Sequence, residues 1–149
     1  METFYFAYGS NMNGARMAAR VPTARHVGTA TLYGWRLAEM LYADIERRRS
    51  GRVRGVVYAM DARDLLVLDR YEGFPNTYTG GDVRVKMDDG RWLQAWAYFM
   101  TTTARRRRAG IKYPLDYAAI CAAGAKENGL PTDHWRRSVA ERLARNDLI

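Results

Sequence analysis

Two alternating segments on either side of Asp88-Asp89-Gly90 constrain the fold of this chain more than any other feature. The first covers residues 78–87 and the second residues 91–101. Their apolar residues recur at every second position, the period of a strand with one buried face: Val83, Val85, Leu93, Ala95, Ala97 and Phe99. An Asp-Gly pair favours a tight turn between two such strands. The pattern therefore predicts an antiparallel β-hairpin.

The rest of the chain divides into a strand-rich part and a helical last third. Further strands are predicted over residues 3–8, 25–40 and 53–60. Helices are predicted from their composition and from the Pro or Gly residues that end them, over 13–21, 61–73, 114–128 and 132–145. We see no internal repeat and no linker-like stretch in the sequence. We expect a single α+β domain over residues 1–149, a small curled sheet or barrel with helices packed outside it.

Glu72 is the first candidate for chemistry. Asp61 is a suitable N-cap for the helix over 61–73 and Gly73 a suitable stop. The spacing i, i+3, i+7 puts Leu65, Leu68 and Glu72 on one helical face, which we expect to face the core. Burial and the negative end of the helix dipole both raise a carboxyl pKa, as acid/base catalysis near neutral pH requires. The alternative is an ordinary solvated or ion-paired glutamate.

The turn after the first strand, Tyr8-Gly9-Ser10-Asn11, is the second candidate. A glycine at a strand-to-helix turn lets backbone N–H groups converge on a carboxylate or an oxyanion. The Ser10 hydroxyl and the Asn11 amide add polar groups. The same residues are also common turn and capping chemistry, so the turn alone leaves both interpretations open.

The small numbers of cysteine and histidine residues give information about possible metal sites and about the redox compartment of the protein. Cys121 is the only cysteine, which excludes an internal disulfide and fits a reducing compartment. His26 and His134 have no spacing typical of a zinc site, so we expect no metal and no cofactor. The first residues lack the pattern of a secretion signal, and no apolar segment is long enough to span a bilayer. We expect a soluble cytoplasmic protein with no membrane partner.

The formal net charge of +8 raises the question of nucleic-acid binding. The arginines cluster at 47–49, with Arg52 and Arg54 nearby, and at 105–108. Both clusters are predicted to lie in loops, without the interleaved aromatic residues of a base-stacking surface. We therefore expect a solvated arginine-rich surface and no specific nucleic-acid partner. A basic rim around a pocket would also attract acidic small molecules.

Four motifs in this order resemble the gamma-glutamylcyclotransferase-like family. They are Phe6 to Met12 (FAYGSNM), Gly55 to Met60 (GVVYAM), Leu68 to Gly73 (LDRYEG) and Gly124 to Pro131 (GAKENGLP). The similarity extends from about Phe4 to Pro131. It implies a small mixed β-barrel with flanking helices and a pocket at one end. It also implies a small γ-glutamyl substrate and no cofactor.

The resemblance implies roles for individual residues. Glu72 stands at the position of the family's catalytic acid/base. The substrate loop corresponds to Tyr8, Gly9, Ser10 and Asn11. Tyr117 matches a tyrosine that lines the same pocket, or else is a buried core tyrosine, and Tyr78 is a further pocket residue. A catalytically silent relative that binds a small metabolite is the alternative. The sequence does not predict an oligomeric state.

One segment departs from the family pattern. Many members have Ala-Thr-Ile or Ala-Asn-Ile where this chain has Ala43-Asp44-Ile45, followed by Glu46 and three arginines. We expect these positions near the pocket mouth, where they would affect the leaving group. The candidate substrates are γ-glutamyl amino acids, glutathione-like peptides, γ-glutamyl-ε-lysine compounds and γ-glutamyl-protected intermediates. The first of these is the default.

Overall fold

The structure, a computed structural model, describes residues 1–147 and forms a closed five-stranded barrel with helices outside it. The strands are β1 Glu2–Ala7, β2 Arg25–Met40, β3 Tyr42–Asp61, β4 Tyr78–Met87 and β5 Trp92–Met100. The helices are α1 Gly14–Arg20, α2 Leu65–Glu72, α3 Thr102–Arg108, α4 Leu115–Glu127 and α5 Asp133–Asp147. Short 3-10 turns at Ser10–Met12 and Ala62–Asp64 precede α1 and α2.

The barrel is closed by the pairing of its first and last strands. The strand order is β1-β3-β2-β4-β5, and Tyr5 of β1 pairs in parallel with Trp96 of β5. All other neighbours are antiparallel. This mixed barrel with outer helices confirms the predicted α+β fold. The predicted hairpin is confirmed as well, since β4 and β5 pair from Tyr78↔Met100 to Lys86↔Trp92.

The prediction that both arginine clusters lie in loops is wrong. Residues 47–49 belong to β3, which begins at Tyr42 rather than at Val53 and pairs with β2 through Trp35↔Arg47. This part of β3 projects polar side chains into solvent, so it lacks the apolar period that marks a strand in a sequence. The other cluster, residues 105–108, ends helix α3. There the side chain of Thr101 caps the helix by accepting from Ala104 N.

The folded chain also brings aromatic rings to the basic residues, contrary to the sequence prediction. The Arg47 guanidinium lies 4.5 Å from the Trp35 ring centroid. On β4, Arg84 lies 5.5 Å and Lys86 6.0 Å from the ring of Trp92, which is 48% exposed. Pairing of β2 with β3 and of β4 with β5 creates these contacts between residues of different strands, so the sequence of an arginine cluster by itself does not reveal them.

The described part of the chain contains neither a helix suited to span a membrane nor a cluster of metal-binding side chains. Between residues 1 and 147, no helix is both long and apolar enough to cross a lipid bilayer. Over the same residues, His, Cys, Asp and Glu side chains form no group of three or more that would hold a metal ion. The expectation that the protein needs no metal stays a prediction.

Candidate active site

A pocket of about 260 Å³ opens beside the turn that follows β1. Its walls come from that turn, from α1, from the end of α2, from the start of α4 and from strands of the barrel. It contains all seven residues that the sequence singled out, namely Tyr8, Gly9, Ser10, Asn11, Glu72, Tyr78 and Tyr117. A concave site in which tyrosines make up half of the lining residues and only a few residues are charged is suited to a small ligand.

Helix α2 places Glu72 at the pocket. Before the helix, the Asp61 side chain accepts from Arg63 N at 2.9 Å and fixes the start of the 3-10 turn. After Glu72, Gly73 adopts a left-handed conformation with φ of 63°, and Phe74 N donates to Asp69 O. Leu68 on the predicted inner face is fully buried, whereas Glu72 is half-buried at the pocket wall.

The electrostatics of Glu72 suit proton exchange near neutral pH. Burial raises the pKa of Glu72 to about 7. The positive charges of Arg20 and Arg16 oppose this shift and lower the pKa, while Asp69 raises it. Within the described residues, the Glu72 carboxylate forms no ion pair and accepts no hydrogen bond. The described residues therefore offer no partner for the alternative in which Glu72 is ion-paired.

The turn after β1 approaches the far wall closely because Gly9 has no side chain. A Cβ at Gly9 would lie 3.2 Å from the Tyr117 hydroxyl and 3.2 Å from Ala43 Cβ. The hydrogen bonds of the turn begin with Met12 N to Gly9 O, so the turn itself does not use the N–H groups of Ser10 and Asn11. These two donors border the pocket and suit an anionic group.

Asn11 lines the pocket as expected, but its side-chain amide is used within the protein. Its side chain is buried and faces the protein, with Nδ2 donating to the Tyr5 hydroxyl at 3.1 Å. Its Oδ1 accepts from Arg20 Nη1 at 3.1 Å, and its carbonyl accepts from the Tyr58 hydroxyl at 2.8 Å. The Asn11 amide thus fixes the pocket wall and orients Arg20, and the backbone N–H is the group of Asn11 that the turn does not use.

Helix α4 holds the turn in place and explains the late sequence motif. A Cβ at Gly124 would lie 2.4 Å from Asn13 N, so only glycine permits this approach. Asn128 Nδ2 donates to Met12 O at 3.0 Å. Glu127 accepts from Gly14 N at the start of α1. The Gly124 to Pro131 motif therefore supports the loop from outside the pocket.

The pocket tyrosines are structural hydrogen-bond partners. Tyr78 donates its hydroxyl proton to Ala43 O at 2.6 Å, and the Tyr117 hydroxyl accepts from Ala43 N at 3.0 Å. Tyr8 donates to Tyr98 O at 2.6 Å. Burial raises the pKa of Tyr8, Tyr78 and Tyr117 above the ordinary value, so their hydroxyls remain protonated at neutral pH. Proton exchange in the pocket near pH 7 is left to Glu72.

The sequence analysis missed several lining residues. Arg16 and Arg20 both line the pocket, and their i, i+4 spacing on α1 could have revealed a shared face next to the glycine turn. No local signal identifies Tyr5 and Tyr98, because only barrel closure brings β1 beside β5. The Tyr98 hydroxyl donates to Asp69 Oδ1 at 2.6 Å and so joins β5 to α2.

Asp44 does not lie at the pocket mouth, so that expectation is wrong. Ala43 faces the pocket, and the next residue of a strand faces the opposite side. Asp44 is fully buried, accepts from Met100 N at 2.9 Å and pairs with Arg105 at 2.7 Å. Residues 47–49 are also absent from the lining of this pocket. This departure from the family pattern thus gives no information about the leaving group.

Comparison with known proteins gives one consistent result. The family model described as gamma-glutamyl cyclotransferase, AIG2-like, matches residues 5–117. Gamma-glutamylcyclotransferase of Bos taurus is 30% identical over 89% of this chain and 75% of its own length. The Homo sapiens protein of the same name is 30% identical over 91% and 77%. A solved gamma-glutamyl cyclotransferase structure, 28% identical, superposes with a TM-score of 0.74 over 93% of this chain and 86% of its own.

Proposed function

The chain belongs to the gamma-glutamyl cyclotransferase, AIG2-like family, and from this premise we propose that it releases 5-oxoproline from a γ-glutamyl compound. The observation that carries the proposal is Glu72, a half-buried carboxyl at the pocket wall with a pKa near 7. A γ-glutamyl amino acid remains the default substrate.

The proposed reaction uses the substrate's own amine as nucleophile. The α-nitrogen attacks the γ-carbonyl carbon, the five-membered lactam forms, and the bond from that carbon to the leaving nitrogen breaks. The attack is intramolecular, and a pocket that holds the substrate folded keeps the amine next to the carbonyl, which lowers the barrier by roughly several kcal/mol. The reaction takes no oxygen atom from water and needs no enzyme nucleophile.

Proton transfer is the role proposed for Glu72. Its carboxylate takes a proton from the α-ammonium so that the nitrogen lone pair is free to attack. The resulting carboxylic acid then gives a proton to the leaving nitrogen, and the second proton that the attacking nitrogen loses as the lactam forms goes to the released amine. A pKa near 7 suits both steps, because the two forms of the carboxyl are then close in free energy at neutral pH.

The turn after β1 is proposed to bind the glutamyl portion. The N–H groups of Ser10 and Asn11 border the pocket and are not used by the turn's own hydrogen bonds. Donors in this arrangement bind a carboxylate, or stabilise the oxyanion of a tetrahedral intermediate. The tight packing of Gly9 and Gly124 keeps these donors in place without substrate.

A panel of γ-glutamyl compounds tests the proposal. The protein is incubated with γ-glutamyl amino acids, glutathione, γ-glutamyl-ε-lysine and simple γ-glutamyl amides, and 5-oxoproline is measured by mass spectrometry. We expect 5-oxoproline from at least one of them. Thermal stabilisation by a panel member without any turnover would instead support the silent metabolite-binding relative.

The pH dependence of kcat/KM follows from the pKa of Glu72. Catalysis begins with the ionised carboxylate, so activity rises with pH as Glu72 loses its proton. Because the pKa of Glu72 is near 7 rather than at its usual 4.5, we expect the rise to have its midpoint near pH 7. Initial rates at low substrate concentration between pH 5 and 9 measure this. A midpoint near the ordinary value would contradict the proposed environment of Glu72.

The basic surface carries a second, weaker candidate function. Tyr33 and Trp92 are about half exposed, their ring centroids lie 6.3 Å apart, and Arg84 and Lys86 lie over the Trp92 ring. Cations and exposed rings favour single-stranded nucleic acid in general. We expect only weak, sequence-indifferent binding that decreases steeply as salt concentration rises. Titration of a fluorescent oligonucleotide at several salt concentrations measures it, and a tight complex with one sequence at physiological salt would contradict this expectation.

A further inference from the structure

The pocket carries more positive than negative charge. Its charged lining residues are Arg16, Arg20 and Glu72. The two arginines lie four residues apart on α1 and so share one face of that helix. Within the described residues, neither guanidinium forms an ion pair with a carboxylate. A ligand that enters this pocket therefore meets an excess of positive charge.

The guanidinium groups of the two arginines differ in their contacts with the rest of the protein. Arg20 donates to Asn11 Oδ1 at 3.1 Å, and its guanidinium lies 4.4 Å from the ring centroid of Tyr71. Arg16 has no such contacts. Its Nε is buried and has no hydrogen-bond partner within the described residues. Arg16 therefore has hydrogen-bonding capacity that the protein itself does not use, and its place in the pocket lining makes its guanidinium available to an acceptor on a ligand.

We infer that Arg16 is the specificity-determining residue of this pocket, and that its guanidinium binds a carboxylate carried by the leaving portion of the substrate. The inference rests on the proposed function. It concerns the carboxylate of the leaving portion, whereas the glutamyl portion is proposed to bind at the turn after β1. Arginine suits this task because its planar fork matches both carboxylate oxygens.

Charge balance supports the same assignment. A γ-glutamyl α-amino acid carries one ammonium and two carboxylates, so its net charge is −1. The pocket with Glu72 ionised carries +1 from its three charged residues. A γ-glutamyl amine or a γ-glutamyl-ε-lysine compound has no net charge and would leave this excess uncompensated. Recognition by Arg16 would therefore select leaving groups with an anionic end.

The test uses two substrates that differ only in the leaving carboxylate, γ-glutamyl-alanine and γ-glutamyl-ethylamide. The value of kcat/KM for 5-oxoproline release is measured with wild type, Arg16→Met and Arg106→Met, at a pH well above 7 so that Glu72 is ionised throughout. Arg106 is exposed on α3 and removes the same charge away from the pocket. For γ-glutamyl-alanine we expect Arg16→Met to lower kcat/KM about 10- to 100-fold. The ethylamide should change less than about threefold, and Arg106→Met should affect neither substrate.

Each other result has a defined meaning. Equal losses on both substrates would show that Arg16 acts on the glutamyl portion or through Glu72, which overturns the inference and leaves the proposed function standing. Wild type that releases no 5-oxoproline from either substrate would refute the proposed function, and the inference with it. If Arg16→Met does not fold, as judged by circular dichroism, Arg16→Lys decides. It keeps the charge and should lose part of the activity on γ-glutamyl-alanine alone.

Discussion

Replacing Glu72 with glutamine should lower kcat by roughly two or more powers of ten while the protein remains folded. Glutamine keeps the size and polarity of the side chain but exchanges no proton at neutral pH. The measurement is 5-oxoproline release under saturating substrate, with protein free of contaminating enzyme. The matched control is Glu141→Gln, an exposed position on α5 that does not line the pocket. Activity within a few-fold of wild type would refute the assignment of Glu72.

The same substitution should stabilise the protein above pH 7. Folding raises the pKa of Glu72 from 4.5 to about 7, so the folded state binds the proton more tightly than the unfolded state. Wild type therefore loses stability as pH rises through this interval, and a neutral glutamine does not. The gain should be on the order of 2 kcal/mol, since each unit of pKa shift corresponds to about 1.4 kcal/mol and pocket water reduces the full value. Thermal melts at pH 4 and pH 8 should show the difference only at pH 8.

Acetylating the α-amine of the substrate should abolish turnover. The proposed nucleophile is that nitrogen, and acetylation delocalises its lone pair and removes its basicity. Among the pocket residues that the structure describes we identify no other activated nucleophile: burial raises the pKa of Tyr8, Tyr78 and Tyr117, and Cys121 is buried outside the lining. The comparison is between matched free and N-acetylated γ-glutamyl substrates, with consumption measured by mass spectrometry.

Isotope labelling distinguishes cyclisation from hydrolysis with the same substrates. In water enriched in oxygen-18, the lactam formed by intramolecular attack should contain no solvent oxygen. Free glutamate carrying oxygen-18, or cleavage of the acetylated substrate at a comparable rate, would show that Glu72 activates water. The chain would then be an amidase built on this family's fold.

Much of the barrel was predictable because short-range patterns encode it. The period of two in β4 and β5 predicted the hairpin, and Asp61 with Gly73 set the limits of the helix that carries Glu72. The first part of β3 was not predictable in this way, since its alternation is hidden by solvent-facing arginines. The expectation that Asp44 lies near the pocket mouth is wrong for a related reason. The pairing register of β3 sets the direction of the Asp44 side chain, which is buried.

The sequence by itself determined the family, the position of Glu72 on an inward helical face and the glycine turn beside it. Only the tertiary structure decided what surrounds them. Closure of β5 onto β1 brought Tyr98 beside Tyr5, and packing of α1 against the pocket placed Arg16 and Arg20 near Glu72. Local patterns arise from backbone geometry with periods of 2 and 3.6 residues. The charge excess of the pocket depends instead on contacts across more than fifty residues, which no local period encodes.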